Sequence, residues 1–278
     1  MMKELLVHVP TTQSAKPVID TAVSLAKSLG TRLDAIAFGY EPVTAELAFD
    51  GAVAVASVME LQRERALKEA ADALAAFEAA AKQQGVAYSS RAFSATPAEA
   101  AEAAEGLARL HDLTIVGQAD SERSKLYDIV PEAVLFGSGR PMLMVPYIHR
   151  GAFDASRILI CWDGKRAAAR AVHDAMPFIT RATNVDIIAA NEEKDGVSEA
   201  SSAALSEYFS RRNITTRVQH VTGDRAEIHN LILSFAADCG ASLLVMGGYG
   251  HSRLREFVLG GVTRGILRSM TIPALMSH

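Results

Sequence analysis

Four glycines frame the stretch of this chain best suited to chemistry. Gly247, Gly250, Gly260 and Gly261 follow the spacing glycine, two residues, glycine, nine residues, glycine-glycine. Glycine tolerates positive φ and lets the backbone come close to a ligand, which Gly247 and Gly250 would exploit. If a helix begins at Gly260 and Gly261, its unpaired N–H groups and positive dipole end point into the same crevice. Such a nest suits a di- or triphosphate. Val262 and Thr263 come next and fall in the first helical turn, where Thr263 could offer a hydroxyl. His251, Arg253 and Arg255 lie in the loop between the glycines. They read equally as charge complementarity to phosphates or as a solvated loop.

The elements that would position this loop are legible in an internal repeat. Leu243-Leu244-Val245-Met246-Gly247 precedes the loop, and Pro273-Ala274-Leu275-Met276 follows the helix. The first half ends in the same way, with Leu113-Thr114-Ile115-Val116-Gly117 and later Pro141-Met142-Leu143-Met144-Val145. The two glycine-ended runs lie about 130 positions apart, as expected of a duplicated unit. The starts match too. Leu5-Leu6-Val7-His8-Val9 and Ile158-Leu159-Ile160-Cys161-Trp162 are apolar runs suited to strands buried on both faces.

Each opening strand is followed by an amphipathic helix, predicted over 14–29 with Gly30 as its stop and over 167–180. Second strands are expected at 33–38 and 185–190. A long Ala-rich helix over 53–84, ended by Gly85, has a shorter counterpart over 198–211. Its apolar positions, Val53, Val55, Val58, Leu61, Ala66, Leu67, Ala70, Leu74 and Phe77, read as a packing face, with partner docking as the alternative. Strands alternating with helices imply parallel sheets covered on both faces. The expected fold is α/β: two tandem doubly wound, Rossmann-like domains, 1–148 and 155–278, each with a roughly five-stranded parallel sheet. Residues 147–156 form the natural linker.

In such sheets ligands bind beyond the carboxyl ends of the strands, where the glycine loop of the second half falls. The motif and its surroundings resemble the phosphate-binding motif of the universal stress protein family, Gly-x2-Gly-x9-Gly-Ser/Thr. Ile160-Cys161-Trp162-Asp163-Gly164 is similar to the family's first strand with its Asp-Gly turn, and Gly223-Asp224 to another recurrent turn. The resemblance covers the second half and, more weakly, the first. It implies ATP or ADP as ligand, with Mg, in one branch of the family, a cytoplasmic stress role and dimerisation. It also implies that Asp163 contacts the nucleotide, that backbone near Ala190 meets adenine, and that Gly247, Gly250 and Gly260 cradle ribose and phosphates.

One departure weakens the site. Gly261 stands where the motif has Ser or Thr, so a phosphate-facing hydroxyl is missing. Such a bond contributes about 1.5–3 kcal/mol, or one to two decades of affinity. Thr263 is the candidate substitute. The first half departs much further. It keeps only Gly117, places Asp128 and Ile129 at the later glycine pair, and opens with Val9-Pro10-Thr11-Thr12 instead of an Asp-Gly turn. No ATP site is expected there, and Gly137-Ser138-Gly139 reads as a helix stop.

Composition narrows the remaining classes. With 49% hydrophobic and 22% charged residues, the 278-residue chain can build sizeable cores, and a net charge of −4 provides no basic footprint for nucleic acid. Two widely spaced cysteines form no zinc or redox motif. The apolar start is too short for a signal peptide and no run approaches a membrane span, so a cytoplasmic protein is expected. There is no Gly-Lys-Ser/Thr loop, complete dinucleotide fingerprint, G-x-S-x-G elbow or paired-histidine metal spacing. No residue looks like a dedicated base or nucleophile, so ATP hydrolysis would be slow and incidental. The leading reading is a stress-response regulator binding adenine nucleotide in its second domain. It would act as a homodimer or an intramolecular pseudo-dimer formed through 142–145 and 274–277, with a protein partner the sequence does not name. The alternative is an interaction module of the same fold that binds no nucleotide.

Overall fold

The computed structural model describes residues 2–11, 13–41, 52–118, 129–192, 199–224, 226–248 and 261–278, with backbone alone for 52–56 and 261. The chain divides into two compact units, residues 2–140 with 150–153, and residues 141–149 with 154–278.

The first unit runs β1 (Glu4–His8), α1 (Lys16–Leu29), β2 (Arg32–Tyr40), α2 (Ala52–Gln84), β3 (Tyr88–Ala95), α3 (Pro97–Ala108), β4 (Leu113–Gly117) and α4 (Ile129–Gly137). Its strands lie in the order β3-β2-β1-β4, and the registered pairs are parallel. Leu5, Leu6 and Val7 of β1 are buried, as expected of a strand covered on both faces. Gly30 ends α1 in the left-handed region at φ 62°, and its N–H is donated to Ala26 O and Lys27 O. α3 opens with a complete capping box: the Thr96 side chain accepts from Glu99 N–H, and the Glu99 carboxylate accepts from Thr96 N–H. α4 ends at Gly137, in keeping with Gly137-Ser138-Gly139 as a helix stop.

The side chains of Val53 and Val55 lie outside the described residues, and α2 keeps the rest of the expected packing face in part: Ala66, Ala70, Leu74 and Phe77 hold. Its buried stripe is Ala66, Ala70, Leu74, Phe77 and Ala81, whereas Val58, Leu61 and Leu67 are exposed. The reason is close approach. A Cβ on Gly39 would lie 1.7 Å from the Ala66 carbonyl oxygen, so the helix backbone rests directly on β2. Small residues at Ala66 and Ala70 permit that contact, and Leu74 and Phe77 continue the buried stripe along the helix.

His8, at the end of β1, is buried against Phe38, with ring centroids 5.6 Å apart. Burial lowers its pKa to about 4. The folded state therefore binds fewer protons than the unfolded chain, so this contribution to stability is intact above the unfolded pKa near 6.5 and lost as pH falls toward 4. Acid should thus cost the parent about 3 kcal/mol over that window relative to His8→Leu. Unfolding free energies measured at pH steps from 7.5 to 4 check this. Parallel curves for the two proteins would show that His8 titrates normally.

The second unit runs β5 (Met142–Val145), β6 (Arg157–Trp162), α5 (Arg166–Ile179), β7 (Asn184–Ala190), α6 (Ser202–Ser210), β8 (Thr216–Val221), α7 (Ile228–Asp238), β9 (Leu243–Gly247), α8 (Gly261–Ser269) and β10 (Ala274–Ser277). Its strand order is β8-β7-β6-β9-β10-β5. The first five of these are parallel, and β5 joins antiparallel with Met144 opposite Ala274 and Met142 opposite Met276. Segments 142–145 and 274–277, the ends of the two repeats, thus pair within one chain. Every residue of both strands is buried. The α/β doubly wound expectation holds in both units.

The registers align the two repeats residue by residue. Leu5 faces Leu33 and Leu113 as Ile158 faces Val185 and Leu243. Asp34 and Asp186 then occupy matching places on the second strands. Asp34 accepts from Ser89 and Arg32, and Asp186 takes a two-point hydrogen bond from Arg217 at 2.7 and 3.0 Å. Each aspartate ties its second strand to the third.

Candidate functional site

The second unit's crevice is built where β6, β7 and β9 end. β6 stops at Trp162, and the chain turns through Asp163 and Gly164. Asp163 is exposed and its Oδ1 accepts from Lys165 N–H at 3.0 Å, closing an Asx turn ahead of α5. Gly164 sits at φ 69°, and a Cβ there would lie 2.9 Å from the Ala200 carbonyl oxygen. Glycine is required on both counts. The Trp162 indole N–H is donated to the same carbonyl at 2.9 Å, so the ring is engaged in packing the wall.

Gly247 ends β9 as expected, but for a different reason. It is not among the residues at positive φ. A Cβ on it would lie 2.6 Å from Ala168 N and 2.8 Å from Ala167 C. Absence of a side chain therefore lets the first turn of α5 close onto the end of β9. Gly248 continues the chain, its N–H donated to Ser277 O at 2.8 Å and its carbonyl 2.9 Å from His278 Nδ1. Gly250, His251, Arg253, Arg255 and Gly260 lie outside the described residues. The helix expected after them begins at Gly261, with Val262 half-buried and Thr263 buried in its first turn. One turn further, a Cβ on Gly265 would strike the His229 ring at 2.3 Å, so α8 is seated closely on α7.

The far side is formed by the ends of β7 and β8. Ala190 is the last residue of β7 and is half-buried. Asn191 follows at φ 53°, and its side chain bonds to both the N–H and the carbonyl of Gly223. Glu192 comes next. Its carboxylate accepts from Ser202 N–H at 2.7 Å and Ser202 Oγ at 2.5 Å, and meets His220 Nε2 at 2.9 Å. Burial pushes the Glu192 pKa up, but the bonds from Ser202 and His220 outweigh it and hold the carboxyl below its ordinary range.

Serine, histidine and glutamate here do not form a nucleophilic relay. Ser202 Oγ and Glu192 Oε2 both meet the same histidine nitrogen, Nε2, whereas a relay needs the carboxylate on Nδ1. The cluster instead ties the start of α6 to β7 and β8. Sequence reasoning passed over Asn191, Glu192, Ser202 and His220. The available signal was a pair of polar residues directly after a buried strand. Cys161, beside Asp163, is inert: burial, with a smaller effect of the Asp163 charge, pushes its pKa to about 12. Among the described residues no group of acidic, histidine or cysteine side chains is arranged to hold a metal, and no helix is long and apolar enough to cross a membrane.

The first unit differs at the matching positions. Phe38 stands at the position of Ala190, with its ring fully buried, stacked on Phe93 at 5.3 Å and beside His8. Pro10 stands at the position of Asp163. Gln13 Nε2 is donated to Gln118 O at 2.9 Å, which ties the turn after β1 to the end of β4.

Comparison with known proteins agrees with this fold. Residues 155–278 match the model of the universal stress protein family. The second half of the chain belongs to that family. A universal stress protein from Archaeoglobus fulgidus superposes with a TM-score of 0.69 at 17% identity, covering 97% of each chain. A functionally unknown protein from Pseudomonas aeruginosa PAO1 superposes with a TM-score of 0.55 at 15% identity, covering 99% of this chain and 92% of its own. At these identities the likeness is one of fold, and it extends the universal stress architecture over both units. Universal stress protein Slr1230 of Synechocystis sp. is 43% identical over 44 residues, 16% of this chain and 15% of that relative's length.

Proposed function

We propose that this universal stress protein is a regulatory adenine-nucleotide binder, with ATP or ADP, accompanied by Mg, held by the second unit alone. The observation that carries the reading is the start of α8 at Gly261, directly after the glycine-spaced loop that leaves β9. A helix N-terminus there provides unpaired N–H groups and a positive dipole end for phosphate oxygens. Asp163, exposed at the end of β6, is positioned for ribose hydroxyls, and backbone at Ala190 for the base. In the first unit Phe38 stands at the position of Ala190, packed against His8 and Phe93, and Pro10 at that of Asp163, which supports a structural role for that unit.

The arrangement binds rather than reacts. On this reading nucleotide hydrolysis is slow and incidental, and the bound nucleotide acts as a signal. Gly261 in place of a hydroxyl residue favours one second reading, an interaction module of the same fold without nucleotide.

Calorimetric titration of nucleotide-free protein with ATP and Mg distinguishes the two. One ATP per chain is expected, with affinity lost by more than about a hundredfold in Gly260→Glu, whose carboxylate would face the phosphates. No heat at millimolar ATP, confirmed by a second binding method, would leave the interaction module standing.

A further inference from the structure

We infer that Asn191 is a positioning residue that holds the base-contacting edge of the second unit's crevice and thereby sets a preference for adenine; this rests on the nucleotide reading above. Asn191 is one of two non-glycine residues at positive φ among the described residues. Side chains adopt that conformation rarely, asparagine most readily. Three hydrogen bonds hold it, all to the chain leaving β8. Its N–H is donated to Val221 O at 2.9 Å, its Nδ2 to Gly223 O at 2.8 Å, and its Oδ1 accepts from Gly223 N–H at 3.0 Å. The side-chain amide thus adds one more rung after the last registered pair, Ala190 with Val221.

That rung has two consequences. β8 is flanked by β7 alone within its unit, and the end of such an edge strand is otherwise free to fray. Fastened to Gly223, it keeps the end of β7 straight up to Ala190. Successive peptide groups of a strand also face opposite neighbours. With Asn191 committed to β8, the Ala190 carbonyl is turned to the β6 side, just beyond Trp162, where β6 has already ended after pairing Trp162 with Ala189. A carbonyl fixed there accepts a hydrogen bond from an exocyclic amino group and repels a ring carbonyl. It selects a 6-aminopurine over a 6-oxopurine. Glu192, tied to Ser202 and His220, stops the following residue from pulling the edge away. In the first unit the equivalent residue is Gly39, which has no side chain to make such a rung.

The test is titration of ATP and of GTP into the wild-type chain, Asn191→Gly and Asn191→Asp, with thermal midpoints recorded for all three. Glycine keeps the positive φ and removes the rung. Aspartate keeps the acceptor for Gly223 N–H and loses the donor. Asn191→Gly should weaken ATP about tenfold, leave GTP nearly unchanged, and so narrow the ATP-over-GTP preference about tenfold, with Asn191→Asp between. An unaltered preference in Asn191→Gly, whether both affinities hold or both fall together, overturns the proposal. If the glycine variant does not fold, the same ratio in Asn191→Asp decides. Wild-type protein that binds no ATP overturns the nucleotide reading and this one with it. Wild-type binding with an unaltered ratio in the variants overturns this one alone.

Discussion

Gly39→Ala is expected to destabilise the first unit by more than about 4 kcal/mol, an exceptional cost for one methyl group. The new Cβ would lie 1.7 Å from the Ala66 carbonyl oxygen and 2.2 Å from its carbon, both backbone atoms that no rotamer change can move. α2 would have to lift from β2, and the lift would unseat Ala70, Leu74, Phe77 and Ala81 together, since they share one rigid helix. Gly106→Ala is the matched control. Gly106 lies inside α3, and a Cβ on it meets nothing within 4 Å. There the same change should stabilise by about 0.5–1 kcal/mol, because alanine loses less backbone freedom in a helix. Urea unfolding of both variants reads the contrast. A Gly39→Ala protein within about 1 kcal/mol of its parent would mean that α2 does not rest on β2 in this way.

Gly247→Ala should have the second largest effect, because it touches stability and the crevice at once. The added Cβ would meet Ala168 N at 2.6 Å and Ala167 C at 2.8 Å, pushing the first turn of α5 off the end of β9. Overpacking of this kind costs about 3 kcal/mol. The same movement would displace the Asp163-Gly164 turn, which leads directly into α5. On the proposed nucleotide reading, ATP affinity should therefore fall by more than tenfold even where the protein remains folded. Unfolding and ATP titration on the same preparation separate the two effects. Full stability would contradict the close approach. Full ATP affinity in a destabilised protein would place the nucleotide away from this turn.

Much of the local geometry around the ends of β6 and β9 was legible because its signals are local. The Asp163-Gly164 turn needs a short polar side chain and a residue tolerant of φ 69°, and both are visible in the dipeptide. The start of α8 at Gly261 followed from the glycine pair ahead of a helical pattern. The wall formed by the ends of β7 and β8 was not legible. Asn191 and Gly223 are 32 positions apart, Glu192 and Ser202 10, and Glu192 and His220 28. Nothing in the spacing of these residues says that they meet.

What the sequence by itself determined is the part that depends on period and repetition. Apolar runs ending in Gly117 and Gly247, helical stretches between them and matching ends point to two α/β units, because unbroken apolar runs suit strands covered on both faces and the intervening helices each carry one apolar face. What only the tertiary structure decided is which small residues are indispensable and which ends are joined. Gly39 and Gly247 matter through atoms far away in sequence, and the structure alone shows that Val58, Leu61 and Leu67 of the expected α2 face stay exposed while Ala66, Ala70, Leu74 and Phe77 pack. The antiparallel pairing of β5 with β10 joins segments about 130 positions apart. Such contacts are set by close packing between elements, and a pattern read along one chain direction carries no measure of the distance between them.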